Sequence, residues 1–440
     1  MSKISKTKSQ SKKSPVPGYK FIKEAAGIEE YELTSNGLRV LYQERPNTGI
    51  VTSNITYLVG AVDEEKGESG LAHMLEHMLF KPTTFDKEAK IQEGGAMRFE
   101  RETGCILNAN TWRDRTTYYF SYPVEHLNRA LGIEAERMTG VILNDKELTP
   151  EQNNVLSEFD MYNGDPHFAL AVQMTSTAFH SHPYGHETIG YREDIEDYNP
   201  TKLERFYRNY YRPDNATMMV IGDIDRKGAL DAVKKHFGKI KRYTGKIPRN
   251  TAREPVQEGL RRVEIVRPAT TQIASIGFKH DGYGTDEWFS AYLLLEVLTG
   301  GPESILQKKL IDTGKVSSLN TMLEPTKETN LATLSATLPP GQTQADIEKE
   351  ILDTVRSLSV KEISSLVEKT KARLLTDELF AREDSMKVCS ELTEYVAAGD
   401  WTLYEKMIDQ LNRLTAKDVA DTASRLFDEK NLTIGYFIGK

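Results

Sequence analysis

The sequence predicts an α+β protein made of two successive, similarly built α+β domains, with antiparallel-rich sheets and helices on one face. Three observations carry that prediction. The chain has 440 residues, enough for two cores on ordinary domain sizes. Short alternating apolar segments recur in the same order in each half, interleaved with helical patterns. Between the halves, residues 246–260 form a polar stretch bearing Pro248 and Pro255, as linkers tend to do.

Residues 1–24 read as a disordered basic tail. Its first 23 residues hold seven lysines and no acid, with too little apolar surface to offset the entropy of ordering. A positive start followed by no apolar stretch is not a secretory leader, and the arginines of a mitochondrial presequence are missing; the expected location is cytoplasmic. The first domain, 25–245, opens with strand patterns at 38–42 and 51–59. A helix follows at about 70–80, then a glycine-marked region at Gly94-Gly95 and strands at 105–107 and 116–120. Helical patterns occupy 124–143, 150–162 and 200–211, and a strand at 216–221 ends at Gly222. The second domain, 261–440, repeats the order. Strands at 262–266 and 273–278 precede a helix over 286–299, a strand at 331–336, long helices between 343 and 427, and a last strand at 432–437.

Composition excludes several classes. A net charge of −8 argues against a nucleic-acid binder that works by neutralising phosphates. No apolar run approaches the roughly 18 residues that a membrane helix requires. Two cysteines, Cys105 and Cys389, cannot build a disulfide scaffold or a cysteine-rich metal site, and read as buried thiols.

The sharpest local signal is Gly70-Leu71-Ala72-His73-Met74-Leu75-Glu76-His77-Met78-Leu79-Phe80. On a helix His73 and His77 share a face, about 6 Å apart along the axis, and two imidazoles so placed can grip one zinc ion. Glu76 borders that face, placed to take a proton from a water the metal activates rather than to bind the metal. The order is that of the His-x-x-Glu-His signature. Three titratable residues interrupt an otherwise apolar segment, and burying them without a partner would cost several kcal/mol; a metal resolves that cost.

A catalytic zinc takes three protein ligands. Thr149-Pro150-Glu151-Gln152 reads as a helix start, with Thr149 as cap, Pro150 in the first helical position and Gln152 closing a capping box. Glu158, seven residues after Glu151, falls on the same side of that helix. Glu158 is therefore the expected third ligand, and Glu151 the expected acceptor for a ligating imidazole. Taken alone, either glutamate is an ordinary solvated helix charge.

With these residues in view, the chain from about residue 30 onward resembles the pitrilysin/insulinase family of zinc peptidases. Beyond the metal helix and the two glutamates, Asn108-Ala109-Asn110-Thr111 resembles the family's segment on an edge strand that pairs with substrate backbone. His182-Pro183-Tyr184-Gly185, Gly190 and the stretch from Tyr211 to Asp223 are also family-like. The resemblance implies a duplicated half-shell, two of which close around a proteolytic chamber. It implies one Zn2+ per chain held by His73, His77 and Glu158, Glu76 as general base, and peptides bound extended at Asn108 and Ala109. Such substrates would be unfolded peptides or oligopeptides. One departure stands out. Family assemblies commonly use an Arg and a Tyr seven residues apart from a second half-shell, whereas the corresponding stretch here, 306–318, holds neither. A dimer is expected, with a different subunit supplying that pair. The second domain carries no metal ligands and reads as structural. The rival reading is a non-catalytic partner subunit of a peptidase-like complex.

Overall fold

Segments rich in Val, Ile, Tyr and Thr pair into two mixed sheets. The computed structural model describes residues 15–440. The first sheet contains β1 (Tyr19–Ala25), β2 (Ile28–Leu33), β3 (Arg39–Glu44), β4 (Ile50–Tyr57), β5 (Ile106–Thr111), β6 (Thr116–Pro123) and β7 (Ala216–Gly222), in the order β1-β2-β3-β7-β4-β6-β5. The second contains β8 (Arg261–Arg267), β9 (Gln272–His280), β10 (Ser318–Met322), β11 (Asn330–Thr337) and β12 (Leu432–Gly439), in the order β10-β11-β9-β12-β8. Setting β3-β7-β4-β6-β5 beside β8-β12-β9-β11-β10 gives the same order twice. In each, the last strand lies parallel to the first and every other neighbour is antiparallel. The duplication expected from element order is therefore a matter of topology, and the β1–β2 hairpin is an addition to the first copy.

That hairpin corrects the expectation of a disordered tail over 1–24, because residues 19–24 are strand. The tight turn at Ala26 and Gly27, both at positive φ, folds β1 back on β2. Tyr19 and Phe21 then pack their rings edge-on against Tyr31, and the Tyr19 hydroxyl reaches the carbonyl of Leu230. Lysines conceal this from a composition count, since Lys20 and Lys23 sit on an edge strand where charge is favourable. The remainder of the predicted tail, 1–14, lies outside the described residues.

Helices α1 (Leu71–Met78), α2 (Thr84–Glu88), α3 (Gly95–Thr103), α4 (Leu127–Gly140), α5 (Asp145–Gly164), α6 (Pro166–Ala178), α7 (Arg192–Glu196), α8 (Pro200–Tyr210) and α9 (Arg226–Phe237) belong to the first half. The second half supplies α10 (Asp286–Thr299), α11 (Gln344–Arg356), α12 (Val360–Ala381), α13 (Ser385–Ala398), α14 (Leu403–Arg413) and α15 (Ala416–Leu426). Each sheet buries one face under helices of its own half. In the first, Val40, Ile55, Tyr118, Phe120 and Met218 meet Leu75, Leu131, Phe206 and Val233. In the second, Ala274, Ile276, Leu334 and Ile434 meet Leu294, Ile351 and Val419.

Helices on one face describe each half only in isolation, because the halves exchange helices across their other faces. From the second half, Val388, Cys389, Leu392, Tyr395 and Trp401 cover Ile28, Leu41, Met219 and Ile221 of the first sheet. Trp401 Nε1–H donates to the buried Glu30 carboxylate at 2.6 Å. From the first half, Leu170, Met174 and Ala178 of α6 cover Ile273, Leu331 and Phe437 of the second sheet. Gly435 and Gly277 make room for this, since a β-carbon at Gly435 would fall 2.5 Å from Met174 Sδ and one at Gly277 would fall 3.1 Å from Met174 Cε. The segment from 246 to 260 has no helix or strand, and it is pinned. Arg249 donates to the Leu58 carbonyl and to Asp63 and Asn215, while the Glu254 carboxylate accepts from the backbone of 180–182 and from Lys279. Among the described residues, no helix is long and apolar enough to cross a membrane.

Candidate metal centre

Helix α1 starts without a capping side chain of its own: the cap is Gly70, at φ +84°. A carboxylate from outside takes that role. Glu64 accepts the Gly70 and Ala72 N–H groups, each at 2.8 Å, and the Nε2 of His186 at 2.9 Å. A β-carbon at Gly70 would lie 2.3 Å from the Ile189 carbonyl oxygen, and one at Gly190 would lie 2.2 Å from that of Ser69. The two chain segments therefore cross at glycines, and the crossing fixes where α1 begins. Leu71, Ala72, Met74, Leu75 and Met78 are then fully buried, which leaves His73 and His77 on the single partly open stripe of the helix.

Helix α5 crosses that stripe. Leu148, Glu151, Val155 and Glu158 recur at three- and four-residue spacing, so they form one face, with Leu148 and Val155 in the core. The helix begins earlier than its sequence suggests: Asn144 is the cap, accepting the Glu147 N–H, and Pro150 lies inside. The expected start at Thr149 with Gln152 closing a capping box is thus corrected. Pro150 is the sixth residue of the helix, past the first turn, so its missing N–H removes one intrahelical hydrogen bond. Gln152 instead donates to the Ile195 carbonyl, pinning α5 to α7. The face assignment survives the correction, because it depends on spacing and not on the start.

His73, His77 and Glu158 come together, with one candidate ligand atom from each lying within 4.8 Å of the others. Glu158 Oε2 is 3.8 Å from His73 Nε2 and 3.5 Å from His77 Nε2. Ligand atoms at zinc distances of 2.0–2.1 Å in a tetrahedron stand about 3.4 Å from one another, so the set fits a single small ion. The rings meet edge-on at 4.7 Å between centroids. Burial and the neighbouring His77 push His73 down to about 4, whereas burial of His77 is outweighed by hydrogen bonds to Glu151 and Glu158, which hold it up to about 9. The Nδ1 of His73 is buried with no hydrogen-bond partner among the described residues.

Glu151 lies where expected, its Oε2 at 3.4 Å from His77 Nδ1 while Oε1 takes Lys81. These contacts hold its carboxyl down to about 2. Glu76 is buried, and burial raises its carboxyl above the usual range against the opposing hydrogen bond from Thr111. Asn108 and Ala109 lie on β5, the end strand of the sheet, which packs beside α1. Asn108 Oδ1 accepts the N–H of Ala109 at 2.8 Å.

Three residues of the site take part through contacts that no local sequence pattern specifies. Thr111, quoted only as part of a segment, donates its hydroxyl to Glu76 Oε2 at 2.5 Å. Glu64 and His186 seat α1, and nothing in the sequence connects the two. Cys105 and Cys389 are buried and unpaired.

Comparison with known proteins agrees with the architecture. The zinc protease PqqE of Helicobacter pylori is 27% identical over 406 residues, 90% of each chain. The uncharacterized zinc protease YmxG of Bacillus subtilis is 25% identical over 399 residues, 90% of this chain and 94% of its own. Among solved structures, a protease from Helicobacter pylori superposes with a TM-score of 0.87 at 24% identity, over 96% of this chain and 100% of its own. The periplasmic protease PqqL of Escherichia coli superposes with a TM-score of 0.73 at 17% identity, over 96% of this chain and 48% of its own. Residues 39–192 match the family model described as insulinase (peptidase family M16), and residues 197–374 match the M16 inactive domain. With both halves matched in order, the chain belongs to the insulinase family of peptidases, M16.

Proposed function

We propose that this chain is a zinc-dependent endopeptidase acting on unfolded peptides held extended, with residues 25–245 carrying the chemistry and 261–440 building the wall of the chamber. The observation that carries the reading is the convergence of His73, His77 and Glu158 beside Glu76. Relatives named as zinc proteases support it. His73 and His77 through Nε2, and Glu158 through its carboxylate, would hold one ion. When bound, zinc supplies Lewis acidity, which makes water nucleophilic near neutral pH and polarises a peptide carbonyl.

The residues of the chain do the rest. Glu151 orients His77 through Nδ1, so that Nε2 faces the site. Glu76 takes a proton from the attacking water as the new C–O bond forms, and returns it to the amide nitrogen as the C–N bond breaks. The outer edge of β5 at Asn108 and Ala109 takes the peptide as an added strand, a mode that reads backbone and tolerates varied side chains. Residues 306–318 offer no Arg/Tyr pair, so the reading includes a dimer in which a different subunit supplies those groups to the chamber.

Glu76→Gln tests the assignment: zinc content measured by atomic absorption should stay at one per chain while peptide cleavage collapses. Retained cleavage would remove Glu76 as the base. The absent Arg/Tyr pair favours one second reading, a non-catalytic partner subunit of a peptidase-like complex. A wild-type chain that fails to retain stoichiometric zinc would establish that reading instead.

A further inference from the structure

We propose that Thr111 is a positioning residue that joins the free edge of β5 to the Glu76 carboxylate, so that a peptide laid along this edge meets a base already aimed at it. This rests on the reading of Glu76 as the base. The Trp112 N–H donates to the Arg115 carbonyl at 2.8 Å, closing the β5–β6 turn. With Thr111 opposite Thr116 and Ala109 opposite Tyr118, the hydrogen-bonded pairs are then 110/117 and 108/119. In an antiparallel ladder the intervening residues turn their N–H and C=O groups away from the partner strand. Leu107, Ala109 and Thr111 therefore present their backbones on the side where, among the described residues, β5 has no neighbouring strand.

Thr111 is thus bifunctional. Its main chain faces the place of an added strand, while its hydroxyl donates to Glu76 Oε2 at 2.5 Å, with both residues more than nine-tenths buried. Oε1 is the carboxylate oxygen left to accept a proton. The β-branched side chain admits few χ1 rotamers, so the hydroxyl direction follows the strand. The turn beyond it is rigid, because the buried Arg113 donates to Glu324 at 2.5 Å, to the carbonyls of Tyr184 and His186 at 3.0 and 2.6 Å, and to Glu187. A second-half residue, Glu324, therefore helps to fix the first-half residue that orients the base.

The experiment compares full-length Thr111→Val and Thr111→Ser with the wild type and with Glu76→Gln. Thr111→Val keeps the shape and removes the donor. A charge-assisted hydrogen bond of this kind corresponds to a loss of about ten- to a hundredfold in kcat, with KM and zinc content unchanged, and Thr111→Ser should recover most of it. Independently of turnover, infrared difference spectra against Glu76→Gln isolate the Glu76 carboxylate stretch, which should move in Thr111→Val and return in Thr111→Ser. A stretch unmoved in Thr111→Val overturns the proposal, as does wild-type kcat in Thr111→Val when Glu76→Gln is inactive. Cleavage by Glu76→Gln itself would defeat the base assignment alone, since the spectra still decide whether Thr111 holds Glu76.

Discussion

Exchange of α6 onto the second sheet is measurable through one contact, Met174 against Gly435. Met174 is fully buried, and a β-carbon at 435 would sit 2.5 Å from its Sδ and 2.6 Å from its Cγ. Met174→Ala empties that slot and should cost about 2–5 kcal/mol, the range for large-to-alanine truncations in cores. Gly435→Ala instead overfills it. Gly435 is not among the glycines held at positive φ, so the cost is steric, about 1–3 kcal/mol. In the double variant the new methyl enters the space the thioether has left, and the second penalty should largely vanish. The expected coupling is about 1–2 kcal/mol in the favourable direction, well outside the ~0.5 kcal/mol scatter of independent sites. Urea denaturation of the four proteins measures it. Because α6 directly follows the helix bearing Glu158, zinc affinity should fall in both single variants. Additive destabilisation, or a Met174→Ala cost well below 1 kcal/mol, would refute the claim that this helix is seated on the other half's sheet by that contact.

Other expectations follow from single contacts. Glu151→Ala removes the acceptor at His77 Nδ1 and should weaken zinc binding about 10–100-fold with the fold intact, measured by competition with a chelator. Asn108→Ala uncovers the Ala109 N–H that Asn108 Oδ1 now accepts; KM should fall and self-association rise, and an increased KM would show that the carboxamide itself holds substrate. His280 is buried neutral, its Nδ1–H donating to the Asp281 carbonyl at 2.7 Å while Nε2 has no partner among the described residues, and burial lowers it to about 4 despite the nearby Glu324 and Asp281. The unfolded chain binds the proton first, so this stability is complete above pH 6.5 and is lost as pH falls toward 4, by up to about 1.4 kcal/mol per unit. The stability difference between wild type and His280→Gln should therefore shrink across that window, and a constant difference would exclude the assignment.

The metal helix and its partner glutamates were legible because helix spacing places His73 and His77 on one face with Glu76 at its border, and Glu151 and Glu158 together on another helix, where the histidine pair gives them meaning. The start of α5 was not, since Asn144 caps it before a proline that looks like a beginning. β1 was hidden by lysines, and β10 by polar residues such as Ser318, Asn320 and Thr321 on an exposed edge. Helix α3 was hidden behind Gly94-Gly95, where the second glycine opens a helix, and α2 is only five residues long. Glu64 capping α1, and Thr111 meeting Glu76, are contacts between distant segments, and no local pattern encodes them.

The traded helices carry a consequence for the integrity of the particle. Were a protease to nick the chain between 246 and 260, each fragment would still clasp a piece of the other, and parting them would expose an oily sheet face on both. The cut chain should therefore elute as one species in native gel filtration, and separately expressed fragments should rescue each other's solubility only when made together. The two copies of this repeated topology are thus not separable modules but two hands in a mutual grip.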